Sequence, residues 1–139
     1  MSKHSEHGVH GEIIWRDCPN ELITGVLDAA FEVHRELGPG LLESVYEQAM
    51  ALELAGRGVA FERQREVPVM YKGQACGMGF RADLLVDECL LIELKAVDEL
   101  SPVHLAQTMT YLRLLGVRRG LLLNFNKRLL KDGIKRVVV

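Results

Sequence analysis

The sequence predicts a mixed α/β sandwich built around one sheet, on three observations. Apolar residues recur every three or four positions through residues 20–56, and from Phe61 the period falls to two. Two short, strongly apolar runs, residues 89–97 and 120–125, then flank a segment that opens with Ser101-Pro102. With 139 residues, 48% of them hydrophobic and 26% charged, the chain has the size and apolar content of one domain, which excludes a disordered or collagen-like polymer. We expect that domain over 16–139, preceded by a flexible polar tail over 1–15.

The first helix is expected to start near Asn20, a residue suited to the N-cap, with Glu21 in its first turn. Leu22, Ile23, Val26, Leu27, Ala30, Phe31 and His34 give it one apolar face. Gly38-Pro39-Gly40 stops it, because Gly38 suits a left-handed position and proline cannot continue the ladder. A second helix follows over 41–56, with Leu42, Val45, Tyr46, Ala49 and Met50 along one face. Residues 61–67 read as a strand continuing through Pro68 to Tyr71, the proline favouring an edge. Lys72-Gly73 turns the chain into a strand over 75–86, and Asp87-Glu88 turns it again into the strand 89–97. Ser101 caps a helix with Pro102 in its first position, and Leu105, Met109, Leu112 and Leu115 mark its buried stripe. The wholly apolar run after it reads as a strand buried on both faces. A turn or short helix near 127–132 leads into a last strand, 134–139.

Composition narrows the function classes. No apolar run approaches the roughly 18 residues that cross a bilayer, and the first eight residues lack the apolar centre of a secretory signal. Cys18, Cys76 and Cys89 are odd in number and widely spaced, as expected of reduced thiols in a cytoplasmic protein. His4, His7 and His10 are spaced for one helical face and a transition metal, but terminal segments of this composition are seldom ordered, and no site is assigned to them. Residues 1–112 carry 9 basic against 18 acidic side chains, whereas residues 113–139 carry 8 against 1. A pI near 6.2 argues against coating nucleic acid by bulk charge, while the basic C-terminal segment permits a local phosphate-contacting surface.

Glu93 and Lys95 are the anomaly, two charges inside an otherwise apolar strand. Residues two apart share a face, so the pair alone is explained by a simple ion pair. Asp83 changes that reading. A three-residue turn at 87–89 sets Asp83 opposite Glu93, with Cβ atoms about 4.5–5.5 Å apart, and a slip of one residue would separate them onto opposite faces. In that register two carboxylates crowd one ammonium, a conflict that a divalent cation with oxygen ligands, Mg²⁺ or Mn²⁺, resolves. Glu43, in the first turn of the second helix, is either a partner of the helix dipole or, if that turn faces the sheet, a further ligand or water-positioning base. Tyr46 follows one turn later on the same side.

Asp83, Glu93-Leu94-Lys95 and Gln107-Thr108-Met109-Thr110-Tyr111 together resemble the PD-(D/E)xK nuclease superfamily, and the Gln-x-x-x-Tyr helix is similar to that of its exonuclease branch. Gly40-Leu41-Leu42-Glu43-Ser44-Val45-Tyr46 also resembles the pattern that names the bacterial GxxExxY family. Tyr71-Lys72-Gly73, Phe80-Arg81-Ala82-Asp83, Glu93-Leu94-Lys95-Ala96 and Gly120-Leu121-Leu122-Leu123-Asn124-Phe125 read the same way. The resemblance covers about residues 20–126. It departs at Ala82, where the superfamily often has proline before the aspartate.

The resemblance implies a restriction-endonuclease-like α-β-β-β-α-β core, a mixed sheet flanked by helices, with an extra N-terminal helix. It implies a Mg²⁺-dependent nuclease cutting DNA or RNA, with Mn²⁺ as substitute. Asp83, Glu93, Glu43 and the Leu94 carbonyl would hold the metal, and Lys95 would orient or deprotonate the attacking water. Gln107, Tyr111 and Tyr46 would contact nucleic acid or hold the catalytic residues. A homodimer would suit a small nuclease that cuts both strands. The alternative is a non-catalytic module that binds nucleic acid or protein on the same fold. A third is a purely structural ion-pair cluster.

Overall fold

Proline and glycine set the limits of the first helices in the computed structural model, which describes residues 15–77 and 79–139. The histidines His4, His7 and His10, and all of the expected tail except Trp15, lie outside the described residues. Helix α1 spans Asn20–Leu37. Extended Pro19 stands at the N-cap, so Asn20 is the first helical residue and makes no cap bond, contrary to expectation. Gly38, at φ +67°, ends the helix by returning its N–H to the His34 carbonyl. Helix α2 spans Glu43–Gly56, two residues shorter at its start than expected, because Leu42 is extended.

Strand β1 is Phe61–Val67. The single strand expected to run on to Tyr71 is broken at Pro68, which has no N–H for a ladder. A small separate hairpin follows, β2 (Met70–Tyr71) and β3 (Gln74–Ala75). β4 then begins only at Phe80 and runs to Val86. β5 is Leu90–Lys95, α3 is Pro102–Leu115, β6 is Arg119–Asn124 and β7 is Ile134–Val138, with a 3₁₀ turn at Leu130–Gly133 before it. Ser101 caps α3 as expected, and His104 completes a reciprocal box by accepting the Ser101 N–H at Nδ1.

The main sheet has the order β1-β4-β5-β6-β7. Its pairs are antiparallel except β5 with β6, which α3 connects in parallel. Along α2, β1, β4, β5, α3 and β6 the order is the expected α-β-β-β-α-β, with α1 added before it. One face is closed by α1 and α2, whose Val26, Ala30, Tyr46, Met50 and Leu54 pack on Leu84, Val86, Leu90, Ile92 and Leu94. The other face is closed by α3, where Tyr111 and Leu112 meet Leu85, Leu91, Leu122 and Val137. β5 and β6 therefore read as nearly continuous apolar runs because both faces are covered.

The alternation of side chains between the two faces slips once in each of β4 and β1. Leu84 and Val86 belong to the α1/α2 side, yet Ala82 lies with Leu85 on the α3 side. On β1, Phe61 packs toward α1/α2 and Val67 toward α3, although they are an even number of residues apart. Both slips fall between the pairs Arg63↔Leu84 and Arg65↔Ala82. The residues there are Gln64, at a left-handed φ of +52°, and Asp83.

Candidate active site

The β4–β5 hairpin turns at 87–89 and pairs Val86↔Leu90, Leu85↔Leu91 and Leu84↔Ile92, the register expected from sequence. The next pair would be Asp83 with Glu93. There the ladder stops and the side chains take over. The Asp83 N–H donates to Glu93 Oε2 at 2.9 Å, and the Leu94 N–H donates to Asp83 Oδ2 at 2.8 Å. Each carboxylate thus satisfies an amide that the diverging strands leave without a backbone partner. Two residues on, the Ala96 N–H donates to Glu43 Oε2 at 3.3 Å, which brings the first turn of α2 to the end of β5.

Charge is crowded at this fork. Asp83 is pushed up to about 6, first by burial and also by the charges of Glu47 and Glu43, against the Leu94 amide and Lys95. Glu93, 4% exposed, is pushed up to about 8, first by burial and then by Asp83, against the Asp83 amide and Lys95. Two neighbouring carboxylates in a low dielectric cannot both ionise cheaply, so they titrate as a pair. Burial raises the Tyr111 hydroxyl as well, followed by the charges of Glu93 and Asp83. The charge of the fork thus reaches Tyr111 in the α3 layer, while Glu43 and Glu47 of α2 act on Asp83 from the other side. Lys95 is half-buried, and among the described residues it makes no ion pair with either carboxylate, which weakens the reading as a structural ion-pair cluster.

The donor set is one of oxygens, suited to a hard divalent cation. Asp83, Glu93 and Glu43 each turn one oxygen to an amide. Among the described residues, the second oxygen of each accepts no hydrogen bond. These oxygens are not drawn together, however. Among the described residues no three His, Cys, Asp or Glu side chains converge as a metal group. Asp83 and Glu93 are joined directly, and Glu43 stands beside them at Ala96.

Tyr46 was expected either to meet nucleic acid or to hold the site. Its side chain is fully buried, which leaves only the second role. The hydroxyl donates to the Gly38 carbonyl and accepts the Leu41 N–H, and the ring stacks on Phe125 with centroids 4.7 Å apart. It therefore pins the loop that delivers Glu43. Tyr111, buried in the α3 core, packs on Phe80 at 4.8 Å. Gln107, one turn before it, is half-buried and makes no side-chain hydrogen bond among the described residues.

Two residues escaped the sequence reading. Glu47 is 8% exposed, accepting Gln64 Nε2 at Oε1 (2.7 Å) and Arg63 Nε at Oε2 (3.1 Å). Among the charges that raise Asp83, it comes first. The available signal was a second acid one turn after Glu43 on the same helical face. Asn124 is fully buried and grips the exit of β5, accepting the Val97 N–H (3.1 Å) and donating to the Val97 carbonyl (2.8 Å). The basic C-terminal segment is partly committed to pairs, Lys127 with Glu99 and Arg119 with Asp17, while Lys135 and Arg136 stay exposed on β7.

An acid from β4, an acid and a lysine two apart on β5, and a parallel β5-α3-β6 unit define a restriction-endonuclease-like domain. The family model of the PD-(D/E)XK nuclease superfamily matches residues 20–137, and the chain belongs to that superfamily. The narrower likeness to GxxExxY proteins rests on the motifs alone. No curated protein and no solved structure matches the chain significantly. No helix among the described residues is long and apolar enough to cross a membrane.

Proposed function

We propose that the chain is a metal-dependent nuclease hydrolysing phosphodiester bonds of DNA, with RNA as the alternative substrate. The observation that carries this reading is the reciprocal clasp of Asp83 and Glu93 at a break in the sheet, where burial first, and then the charge of neighbouring acids, raises both carboxyls. Asp83, Glu93, Glu43 and the Leu94 carbonyl are the groups that would hold Mg²⁺, or Mn²⁺ in its place. When bound, such an ion supplies Lewis-acid polarisation of the scissile phosphate and a lowered pKa for water.

The chain's own residues supply the rest. Lys95 orients the attacking water and stabilises the charge that develops on phosphate. Tyr111 and Gln107 hold the carboxylates from the α3 side or meet the strand. Tyr46 keeps Glu43 at the end of β5. The domain spans 16–139 and works in the cytoplasm, and pairing of two copies would serve cleavage of both strands.

The competing reading, a binding module without catalysis, is favoured by one observation: all three carboxylates already serve backbone amides. The deciding experiment compares the purified protein with Asp83→Ala on labelled single- and double-stranded DNA and RNA, with Mg²⁺, Mn²⁺ or EDTA. The nuclease reading expects cleavage that needs metal and disappears in the variant. Equal cleavage by both proteins would mean a contaminant, and cleavage by neither would favour the module.

A further inference from the structure

The β2–β3 hairpin plays no part in the fork or the core. Lys72 and Gly73 link its two strands, with φ of +51° and +80°, a type I′ geometry that makes a tight projection. Met70 and Tyr71 at its tip are large, apolar and 56% and 62% exposed, which isolated solvent-facing turns rarely need. The Lys72 ammonium lies 5.3 Å from the Tyr71 ring centroid, so an aromatic face and a cation are presented together.

The neck of this projection is built closely. Gly79, at φ +75°, passes so near β1 that a Cβ would lie 2.5 Å from the Val67 carbonyl oxygen and 3.1 Å from the Pro68 Cα. The hairpin is therefore carried by the same two strands, β1 and β4, that carry Gln64 and Asp83. Phe80 begins β4 beside this neck, about 10 Å along the strand from Asp83 at the usual rise per residue, and packs at a tilt on Tyr111. Charge points the same way. Residues 67–82 contain no Asp or Glu, in the part of the chain where acids outnumber bases two to one, while Lys72 and Arg81 both lie within that stretch. Arg81 at the foot is mostly exposed and only loosely paired with Glu66, at 4.0 Å.

We infer that the hairpin is a stacking platform for single-stranded nucleic acid: a base lies on Tyr71, and Lys72 and Arg81 meet the flanking phosphates. The partner's class rests on the nuclease reading, whereas the platform is argued from the hairpin. An aromatic face with adjacent cations is the chemistry that binds a single strand without reading its sequence, and a duplex, with its bases stacked internally, offers no such face.

The test is fluorescence anisotropy in EDTA, with a labelled oligothymidylate and a matched duplex as probes. Wild type should prefer the single strand. Tyr71→Ala should weaken that binding roughly tenfold or more, the loss expected for one base–aromatic stack. Tyr71→Phe should bind as wild type, and Lys72→Ala should lower the salt dependence. Tyr71→Ala binding as wild type, equal affinity for the duplex, or no strand binding by wild type would each overturn the inference. The two readings fail separately. Tyr71-dependent binding by a protein that never cuts would sink only the nuclease, and metal-dependent cleavage of single strands unchanged in Tyr71→Ala would sink only the platform.

Discussion

Strands β4 and β5 pair side by side, yet their two ends are built differently. From Leu84 to Ile92 every residue is buried and apolar except those of the turn, and the ladder is regular. From Asp83 and Glu93 outward the ladder gives way to carboxylates that accept amide protons. The apolar end makes the hairpin rigid, and that rigidity lets the polar end hold two acids in a buried place where both carboxyls are pushed up. A break in a sheet normally leaves unpaired amides that cost stability. Here the same groups that close the break are the candidate catalytic ones, so structure and chemistry are coupled at those two residues and separate everywhere below them.

That contrast can be broken experimentally. The largest effect is expected from Lys95→Met, which alters no side chain of the clasp: cleavage should fall by roughly 10²–10⁴-fold with the thermal midpoint nearly unchanged, as read by initial rates and calorimetry. Leu84→Ala, one residue below Asp83, should do the reverse. Truncating this fully buried leucine should cost about 2–5 kcal/mol in denaturant unfolding, with activity per folded molecule retained. If it also abolishes cleavage, the two ends are not separable.

Removing one crowded acid should be smaller and opposite in sign. The folded-state value of Glu93, about 8, lies above its ordinary 4.5, so the folded protein binds the proton more tightly than the unfolded chain. Stability from this group is full below about 4.5 and is lost as pH rises toward 8; Asp83 adds the same trend between 3.8 and about 6. Glu93→Gln keeps an acceptor for the Asp83 amide but carries no charge. In EDTA at pH 8 it should be more stable than wild type by upward of about 1.4 kcal/mol, the worth of one pKa unit, and the gain should vanish near pH 4.5. A loss of stability at pH 8 would show that neither burial of the charge nor repulsion governs the pair. The smallest effect belongs to Tyr46→Phe, which frees the Gly38–Leu41 loop at a cost of about 1 kcal/mol, with cleavage reduced through Glu43 and readable as a lower rate at saturating substrate.

Periodicity revealed most of this architecture because burial on two faces leaves a plain record. The apolar runs of β5 and β6, the Gly38-Pro39-Gly40 stop and the Ser101-Pro102 start all carry their reasons locally. The register of the β4–β5 hairpin was legible because a short turn leaves few choices, whereas the end of its ladder before Asp83 and Glu93 was not. What was not legible depends on contacts far apart in sequence. The left-handed Gln64 has no local signature, and Glu47 looks like an ordinary helical acid until Arg63 and Gln64 are set against it. The role of Tyr46 was half legible: its spacing from Glu43 put it near the site, but only the packing of Phe125 against it shows that the ring is inaccessible. The division of one expected strand into β1 and a hairpin was signalled by Pro68 and Gly73.

The rims of the sheet bear on how two molecules can meet. β1 lies at one border with Glu62, Arg63, Arg65 and Glu66 in its seven residues, and β7 lies at the other with Lys135 and Arg136 exposed. A neighbour adding itself as a sixth strand would have to align its own charges with these, and at β7 it would set cation against cation in the matching copy. Continuous growth of the sheet from molecule to molecule is thereby discouraged. The two rims thus carry charge where an unguarded sheet would offer bare backbone.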